Sequence, residues 1–192
     1  MVEGPSKEKI VGLINSAIVA LAGKIADSKV KVAEATAICL AKIAEIHPEC
    51  YFSNQTALQI LPILSQGLEA VPKVSSHIAK AWSSLGEALR KIENHGLTLD
   101  SVIEALLKNA FRTDITSQDY SLIDHSLMAV MSLIHCCNNN QTVQKFLGVF
   151  LNQLQQSVNL TGDRKKFIQS GLLACIQVEI FCRRTKITIV FH

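Results

Sequence analysis

The segment KVKVAEATAICLAKIAE, residues 29–45, decides the fold because it recurs 42 residues later as VPKVSSHIAKAWSSLGE, residues 71–87. Both copies carry apolar residues at spacings of three and four, the pattern of a helix that buries one face. Leu40 of the first copy falls on Trp82 of the second, which is the only tryptophan of the chain. Trp82 also lies at the edge of the apolar stripe, so we expect a core residue whose indole N–H finds a polar neighbour.

The remainder of the chain is also predicted to be helical, because apolar residues recur with the helical period and Pro and Gly stand at the joints. The joints are short, which is typical of antiparallel helix pairs. The last segment, TKITIVFH, residues 185–192, is β-like and is assigned to no helix. The inward face of the second helix is predicted to consist of Val32, Ala35, Cys39, Leu40 and Ile43. The eight helices are predicted at about residues 6–26, 29–46, 54–68, 72–91, 98–110, 117–136, 141–158 and 162–183.

A pair of helices repeated every forty-odd residues is typical of HEAT solenoids, whereas armadillo units usually add a short third helix. We therefore predict an all-α fold, an α-solenoid of about four HEAT repeats over residues 1–184, and leave residues 185–192 unassigned. The inner helices of such a solenoid line its concave side, where long partners bind. End repeats that lack polar caps expose apolar faces, so we also expect self-association or marginal solubility at one or both ends. The four repeats are predicted at about residues 5–48, 53–92, 97–137 and 140–184.

Composition restricts the function classes. Of the 192 residues, 48% are hydrophobic and 18% are charged, and the net charge is +3, a composition that forms a core. The basic runs at 164–166 and 183–184 lack interleaved aromatic residues, so we expect no direct nucleic-acid binding. The first apolar run, residues 10–23, is too short for a membrane span, so we expect no membrane association. The six cysteines form no CxxC pair, which favours reduced and buried thiols.

Enzymatic and metal-binding alternatives have little support in the sequence. Asp124-His125-Ser126 contains the residue types of a catalytic triad. Helical neighbours point about 100° apart, however, so these three cannot form a relay with one another. His135-Cys136-Cys137 resembles half of a zinc site, but no second ligand pair with the required spacing follows it. No Gly-rich phosphate loop is present, and we expect neither catalysis nor a cofactor.

Two stretches resemble the importin-β family of nuclear import receptors. EGPSKEKIVGLINSAIVALAGKIADSKVKVAEATAICLAKIAEIHP, residues 3–48, resembles a repeat near the middle of these receptors. ILPILSQGLEAVPKVSSHIAKAWSSLGEAL, residues 60–89, resembles the repeat that follows it. SLMAVMSLI, residues 126–134, and VFLNQLQQSV, residues 149–158, fit the next two repeats more loosely. The resemblance covers about residues 3–183, and the chain looks like a central piece of such a receptor.

The resemblance implies a function in nucleocytoplasmic protein transport. Receptors of this family bind the GTPase Ran with their N-terminal part, importin-α or cargo with inner helices, and nucleoporin Phe-Gly repeats with outer helices. By this resemblance we expect importin-α or a cargo import signal as the partner of this chain. Ran and nucleoporins are expected partners of the full-length protein, which would be found in the cytoplasm and nucleus, including the nuclear pore. The alternative function is a general HEAT-repeat scaffold unrelated to transport.

The candidate binding residues lie on one flank of two inner helices. A helical wheel centred on Leu85 separates this flank from the buried face of the second inner helix. Receptors of the family have tryptophans at the positions of Ile38 and Lys80, which stack on basic side chains of the bound segment. Both tryptophans are replaced here and Lys80 would repel a basic segment, so Glu45 and Glu87 are the expected acidic contacts. The candidate partner-binding residues are Glu34, Ile38, Lys42, Glu45, His77, Lys80, Ser84 and Glu87.

Overall fold

The fold is known from a computed structural model, which describes residues 7–52, 54–92, 97–137 and 140–190. In this part of the chain all regular structure is helical, with eight α-helices and three short 3₁₀ turns. The all-α prediction is confirmed. The predicted helix bounds lie within two residues of the observed ones, except that α1 ends at residue 22 instead of 26, α6 begins at residue 120 instead of 117, and α8 continues beyond residue 183. The α-helices are α1 (Lys7–Ala22), α2 (Val30–Ile46), α3 (Asn54–Gly67), α4 (Pro72–Leu89), α5 (Asp100–Ala110), α6 (Tyr120–Ile134), α7 (Asn140–Gln156) and α8 (Gly162–Val190).

Proline and glycine set several of the helix boundaries. Pro48 follows α2 and opens a 3₁₀ turn that ends at Tyr51. Pro72 occupies the first turn of α4, where its missing N–H costs no hydrogen bond. Gly162 begins α8 with a φ of 63°, a left-handed conformation that glycine adopts without strain. These helix boundaries are therefore set by local sequence, and the sequence alone predicts them.

The β-like reading of residues 185–192 is wrong as far as Val190, because α8 continues to that residue. A helix that has already formed is extended at one hydrogen bond per residue, without the cost of a new nucleus. The β-branched residues of this segment lower helix propensity only slightly. Residues 191 and 192 lie outside the described part of the chain.

The inner helices α2, α4, α6 and α8 form a continuous row, and the outer helices α1, α3, α5 and α7 cover one side of it. Extensive packing joins α2 to α4, α4 to α6, and α6 to α8. Two glycines allow the closest approaches within this row. A Cβ added at Gly86 of α4 would lie 2.8 Å from the Cβ of Ser132 on α6, and one added at Gly171 of α8 would lie 2.5 Å from Leu127 Cδ1. Each repeat thus buries its apolar face against its neighbours, as a solenoid requires.

Trp82 lies in the core, as predicted, with 1% of its surface exposed. The expectation for its indole is wrong, because Nε1 is buried and has no hydrogen-bond partner among the described residues. Its aromatic surface therefore dominates its contribution to the fold.

The predicted inward face of α2 is partly wrong. Leu40 is buried and Ile43 is half-buried, but Val32, Ala35 and Cys39 are exposed. The buried face is centred about a third of a turn away, where α2 packs against α4. Cys39 is accordingly the exposed cysteine among those whose side chains are described. The buried residues of α2 are Ala33, Thr36, Ala37, Leu40, Ala41 and Ala44.

Candidate protein-binding groove

The eight predicted binding residues occupy the side of α2 and α4 that points away from the outer helices. None of them is fully buried: Glu34, His77 and Ser84 are half-buried and the other five are exposed. Ile38 is 45% exposed although it is a large aliphatic residue. The structure therefore brings these side chains to one accessible surface, which we call the groove.

Ion pairs connect the two helices across the groove. Lys42 Nζ lies 3.1 Å from Glu45 Oε2 within α2, and Lys80 Nζ of α4 lies 3.9 Å from the same oxygen. All three side chains are between 44% and 61% exposed, so each pair contributes only tenths of a kcal/mol, about 0.2–1 at most. Glu45 is therefore already shared between two lysines, and a basic partner would have to compete with both.

A small cavity of about 210 Å³ lies between α4 and α6 on the groove side. Lys80, Ser84 and Glu87 of α4 line it together with Asp124 and Met128 of α6. Two carboxylates thus face one cavity, and Met128 adds a 45% exposed thioether side chain beside them. Ser83 and His125 complete the lining.

Sequence reasoning missed the contribution of α6 to the groove. The third repeat does not match the first two residue by residue, so the 42-residue shift gave no alignment for it. A usable signal was nevertheless present, because Asp124 and His125 are the acidic and the basic residue of an α6 that is otherwise free of Asp, Glu, Lys, Arg and His. Such a polar gap in an apolar helix marks the flank that faces solvent.

His125 joins α6 to α4 rather than to its sequence neighbours. Its Nδ1 lies 3.1 Å from the carbonyl oxygen of Ser76 and 2.9 Å from Ser76 Oγ, and Ser76 Oγ donates to Ser121 Oγ over 3.2 Å. Ser126 is fully buried, and its Oγ has no partner among the described residues. Asp124, His125 and Ser126 therefore form no relay.

Two histidines of this region are held in their neutral form. Burial lowers the pKa of His125, and the hydrogen bond to the Ser76 carbonyl opposes this effect in part. Burial also lowers the pKa of His77, and the proximity of His125 lowers it further, while Glu34 raises it. Near neutral pH the positive charge of the groove therefore comes from lysines.

The described residues hold no group of three or more His, Cys, Asp or Glu side chains placed to bind a metal ion. Cys136 donates its Sγ hydrogen to the carbonyl of Gly86 over 3.2 Å, so it packs against α4. Within the described part of the chain, no helix is long and apolar enough to cross a membrane.

The structure resembles three solved structures of importin-β. Yeast importin-β (Kap95p) aligns over 93% of this chain with a TM-score of 0.77 and 19% sequence identity. The chain has the helical-repeat fold of importin-β. The complex of Kap95 with Nup1 aligns over 98% of the chain with a TM-score of 0.74 and 17% identity. Importin-β crystallised with ammonium sulfate aligns over 94% with a TM-score of 0.76 and 16% identity. No family model matches the sequence.

This chain spans less than a quarter of the importin-β chain in each of these three structures, 22–23% of its length. At this level of identity the match shows the solenoid fold, and the groove must be judged on its own residues. With the exposed neighbours Lys31 of α2, Lys73 of α4 and Asp124 of α6, the groove carries four acidic and four basic side chains. They are Glu34, Glu45, Glu87, Asp124, Lys31, Lys42, Lys73 and Lys80.

The outer side of the importin-β-like solenoid carries a larger cavity of about 850 Å³. The residues just after α3, the second half of α5, the segment after α5, and Gln153 of α7 line it. Arg112 forms a two-point ion pair with Asp114 at its rim, over 3.0 and 2.9 Å, which lowers the pKa of Asp114 to about 2. The charges around this cavity are balanced, with Glu69 and Asp114 opposite Lys108 and Arg112.

Proposed function

We propose that this chain is a protein-binding segment of a nuclear import receptor, and that its groove binds a basic segment of importin-α or of a cargo import signal. The observation that carries the proposal is the pair of carboxylates, Glu87 and Asp124, on one cavity of about 210 Å³ between α4 and α6. A lysine or arginine side chain fits such a cavity, because its aliphatic stem can lie on Met128 while its charged end meets the carboxylates.

The groove would hold its partner differently from receptors that use tryptophans at the positions of Ile38 and Lys80. Lys80 is 3.9 Å from Glu45 and lines the cavity with Glu87. The attraction for a basic segment is therefore weakest between α2 and α4 and strongest between α4 and α6. We expect the bound segment to be centred on the α4–α6 cavity.

A labelled basic importin-β-binding peptide tests this proposal by fluorescence anisotropy. Reversing both charges, Glu87→Lys with Asp124→Lys, is expected to weaken binding at least about tenfold, since close charge pairs across an interface contribute of order 1.5 kcal/mol or more. Glu104→Lys on α5 is the matched control for each of the two single reversals, because it makes the charge change of one reversal on the outer side, where Glu104 pairs with Lys145. An equal loss with the control variant would show that only net charge matters.

Replacing the groove lysine gives a second, opposite test. Lys80→Trp removes the repulsion and supplies an aromatic face for cation–π contact with a basic segment, an interaction of roughly 0.5–2 kcal/mol. The peptide is expected to bind about three- to thirtyfold more tightly. Unchanged affinity would mean that the peptide does not contact the centre of the groove.

The alternative is a HEAT-repeat scaffold outside transport. The solved complex of Kap95 with Nup1 supports a nucleoporin as a partner of the full-length protein, and Ran and importin-α are the other transport partners to test. If the full-length protein retains none of these from cytosol, the scaffold is the better account. For a transport receptor we propose a location in cytoplasm and nucleus with enrichment at the nuclear rim, which a fluorescent fusion would reveal.

A further inference from the structure

His125 is the histidine among the residues that line the α4–α6 cavity. Histidine is the side chain whose ordinary pKa lies closest to neutral pH, so its charge changes within the range of about pH 5–8. The charged residues of the lining are Lys80, Glu87 and Asp124. A single proton at His125 therefore changes the balance of charge in the cavity.

A hydrogen bond to α4 determines which ring nitrogen of His125 accepts this proton. Nδ1 lies 3.1 Å from the carbonyl oxygen of Ser76, and a carbonyl oxygen only accepts hydrogen bonds. Nδ1 therefore carries the hydrogen of the neutral ring. Ser76 Oγ, 2.9 Å from Nδ1, agrees with this tautomer because it donates its own hydrogen to Ser121 Oγ. The second proton adds to the lone pair of Nε2 and gives an imidazolium without breaking the bond to Ser76.

The cavity has one net negative charge while His125 is neutral. Glu87 and Asp124 each contribute one negative charge, and Lys80 contributes one positive charge. Burial is the main influence on the pKa of His125 and lowers it, which favours the neutral ring. An imidazolium would cancel the net negative charge and would compete for the two carboxylates. The cavity would then attract a lysine or arginine side chain only weakly.

We propose that His125 makes the binding of a basic segment to the groove depend on pH, so that the segment is held while the imidazole is neutral and released when it is protonated. The inference rests on the proposed function, because it concerns the same cavity and the same class of partner. By reciprocity, the bound segment makes His125 harder to protonate. His125 is thus part of the recognition site as well as a link between α4 and α6.

Neighbouring groups on three helices modify the response of His125. Apart from burial, the hydrogen bond to the backbone of α4 and the negative charge of Asp124 raise the pKa of His125, and the positive charge of Lys80 lowers it. His77 of α4 belongs to the same site, since burial and then His125 lower its pKa, while Glu34 of α2 raises it. A proton on one ring makes a proton on the other less favourable, so the site takes up one positive charge first.

The charged residues of the other elements that pack on α6 are directed away from His125. α8 contacts the opposite side of α6, where Gly171 meets Leu127. Asp119, just before α6, accepts a hydrogen bond from Thr116. The charged side chains of α5 and of the first turn of α8 have partners or positions outside the groove. These residues are Asp100, Glu104 and Lys108 of α5 and Asp163, Arg164, Lys165 and Lys166 of α8.

The affinity of the labelled basic peptide, measured by fluorescence anisotropy between about pH 8 and 5.5, tests the inference. We expect a constant affinity above about pH 7 and a decrease of at least about threefold by pH 5.5, because one proton competes with one basic side chain. His125→Gln cannot take up this proton and should remove most of the decrease. His135→Gln is the matched control, since burial also lowers the pKa of His135 but its side chain does not line the cavity. This control should retain the decrease.

The possible results distinguish this inference from the proposed function. Suppose that Glu87→Lys with Asp124→Lys weakens binding, but His125→Gln has the pH dependence of the wild type. The inference would then be overturned and the proposed function would stand. An affinity that rises as the pH falls would also overturn the inference, and no binding at any pH would overturn both. Circular dichroism restricts the comparison to pH values at which every variant is folded.

NMR titration of the histidine rings gives a readout that needs no peptide. The ¹⁵N shifts of His125 should show the Nδ1–H tautomer above about pH 7, and the pKa of His77 should rise in His125→Gln. Adding the peptide should lower the pKa of His125 further, as reciprocity requires. An Nε2–H tautomer, or a pKa of His77 that is the same in His125→Gln, would refute the geometry on which the inference rests.

Discussion

Replacing Gly86 with alanine should separate α4 from α6, the two helices that form the carboxylate cavity of the groove. The Cβ of the new alanine would lie 2.8 Å from Ser132 Cβ, 3.1 Å from the Ser132 carbonyl carbon and 3.2 Å from Leu133 Cδ2. The first two atoms are fixed to the backbone of α6, so a change of rotamer cannot remove the contact. The helices must therefore move apart by several tenths of an ångström.

Two opposing terms determine the expected change in the free energy of unfolding. Overpacking of a close helix contact costs typically 1–3 kcal/mol. Alanine in place of glycine inside a helix contributes about 1 kcal/mol in the other direction. We expect Gly86→Ala to lower the free energy of unfolding by up to about 2 kcal/mol, which is equivalent to a decrease of up to roughly 8 °C in Tm for a chain of this size.

Gly148→Ala in α7 is the matched control, because a Cβ at Gly148 meets no atom within 4 Å. Only the higher helix propensity of alanine then changes the stability, and we expect this variant to be more stable than the wild type by about 0.5–1 kcal/mol. Urea denaturation followed by circular dichroism, with the slope and the midpoint fitted separately, measures both variants. If Gly86→Ala were as stable as Gly148→Ala, the close approach of α4 and α6 would not exist in solution.

Three further perturbations test other parts of the structure. Tyr51→Phe removes the hydrogen bond that Tyr51 OH donates to the Leu40 carbonyl over 2.8 Å in the core. Urea denaturation should show that the free energy of unfolding falls by about 1 kcal/mol. An unchanged free energy would mean that the hydroxyl has no partner there. Asn109→Ala removes the buried hydrogen bond that Nδ2 donates to the Leu68 carbonyl over 2.7 Å. We expect the free energy of unfolding to fall by about 1–3 kcal/mol. A smaller decrease than that of Tyr51→Phe would contradict the burial of this contact. The pKa values of His77, His125 and His135 are lowered, mainly by burial. As the pH decreases, the unfolded chain therefore binds protons at these histidines before the folded chain does. The free energy of unfolding should be constant above about pH 7 and fall as the pH decreases below about 6.5. His125→Gln should reduce this slope between pH 7 and 5.5, and an unchanged slope would show that His125 is not buried.

The regular part of the fold could be predicted because its signals are local. The period of the apolar residues, Pro72 and Gly162 locate the helices, and the 42-residue shift places Trp82 in the core opposite Leu40. The face of α2 was predicted less well, since in a solenoid apolar residues also occupy the sides between neighbouring repeats. Val32, Ala35 and Cys39 belong to such a side, and periodicity alone cannot tell it from the face that packs on α4.

The groove could be predicted only as far as the repeat could be aligned. The shift relates α2 to α4, so residues of both helices were assigned to one surface before the fold was known. Asp124 and Met128 of α6 reach the same surface through the packing of α4 on α6, which depends on Gly86 and on the Ser76–His125 contact. These contacts join residues about fifty positions apart, and no pattern within either helix contains them.

The distribution of charge within the groove determines what it can select. Its inner surface carries as many lysines as carboxylates, so net charge cannot attract a basic segment from a distance at physiological salt. Selection must come from the order of the charges. The α2–α4 part presents Lys42 and Lys80 on either side of Glu45, whereas the α4–α6 part presents Glu87 and Asp124 with Lys80 at its border. A partner that fits this order carries its basic residues over α6 and an acidic or neutral residue over α2. A peptide with this order of charges should bind more tightly than a peptide of the reversed sequence. Equal affinities of the two peptides would show that the groove does not distinguish the order of charges.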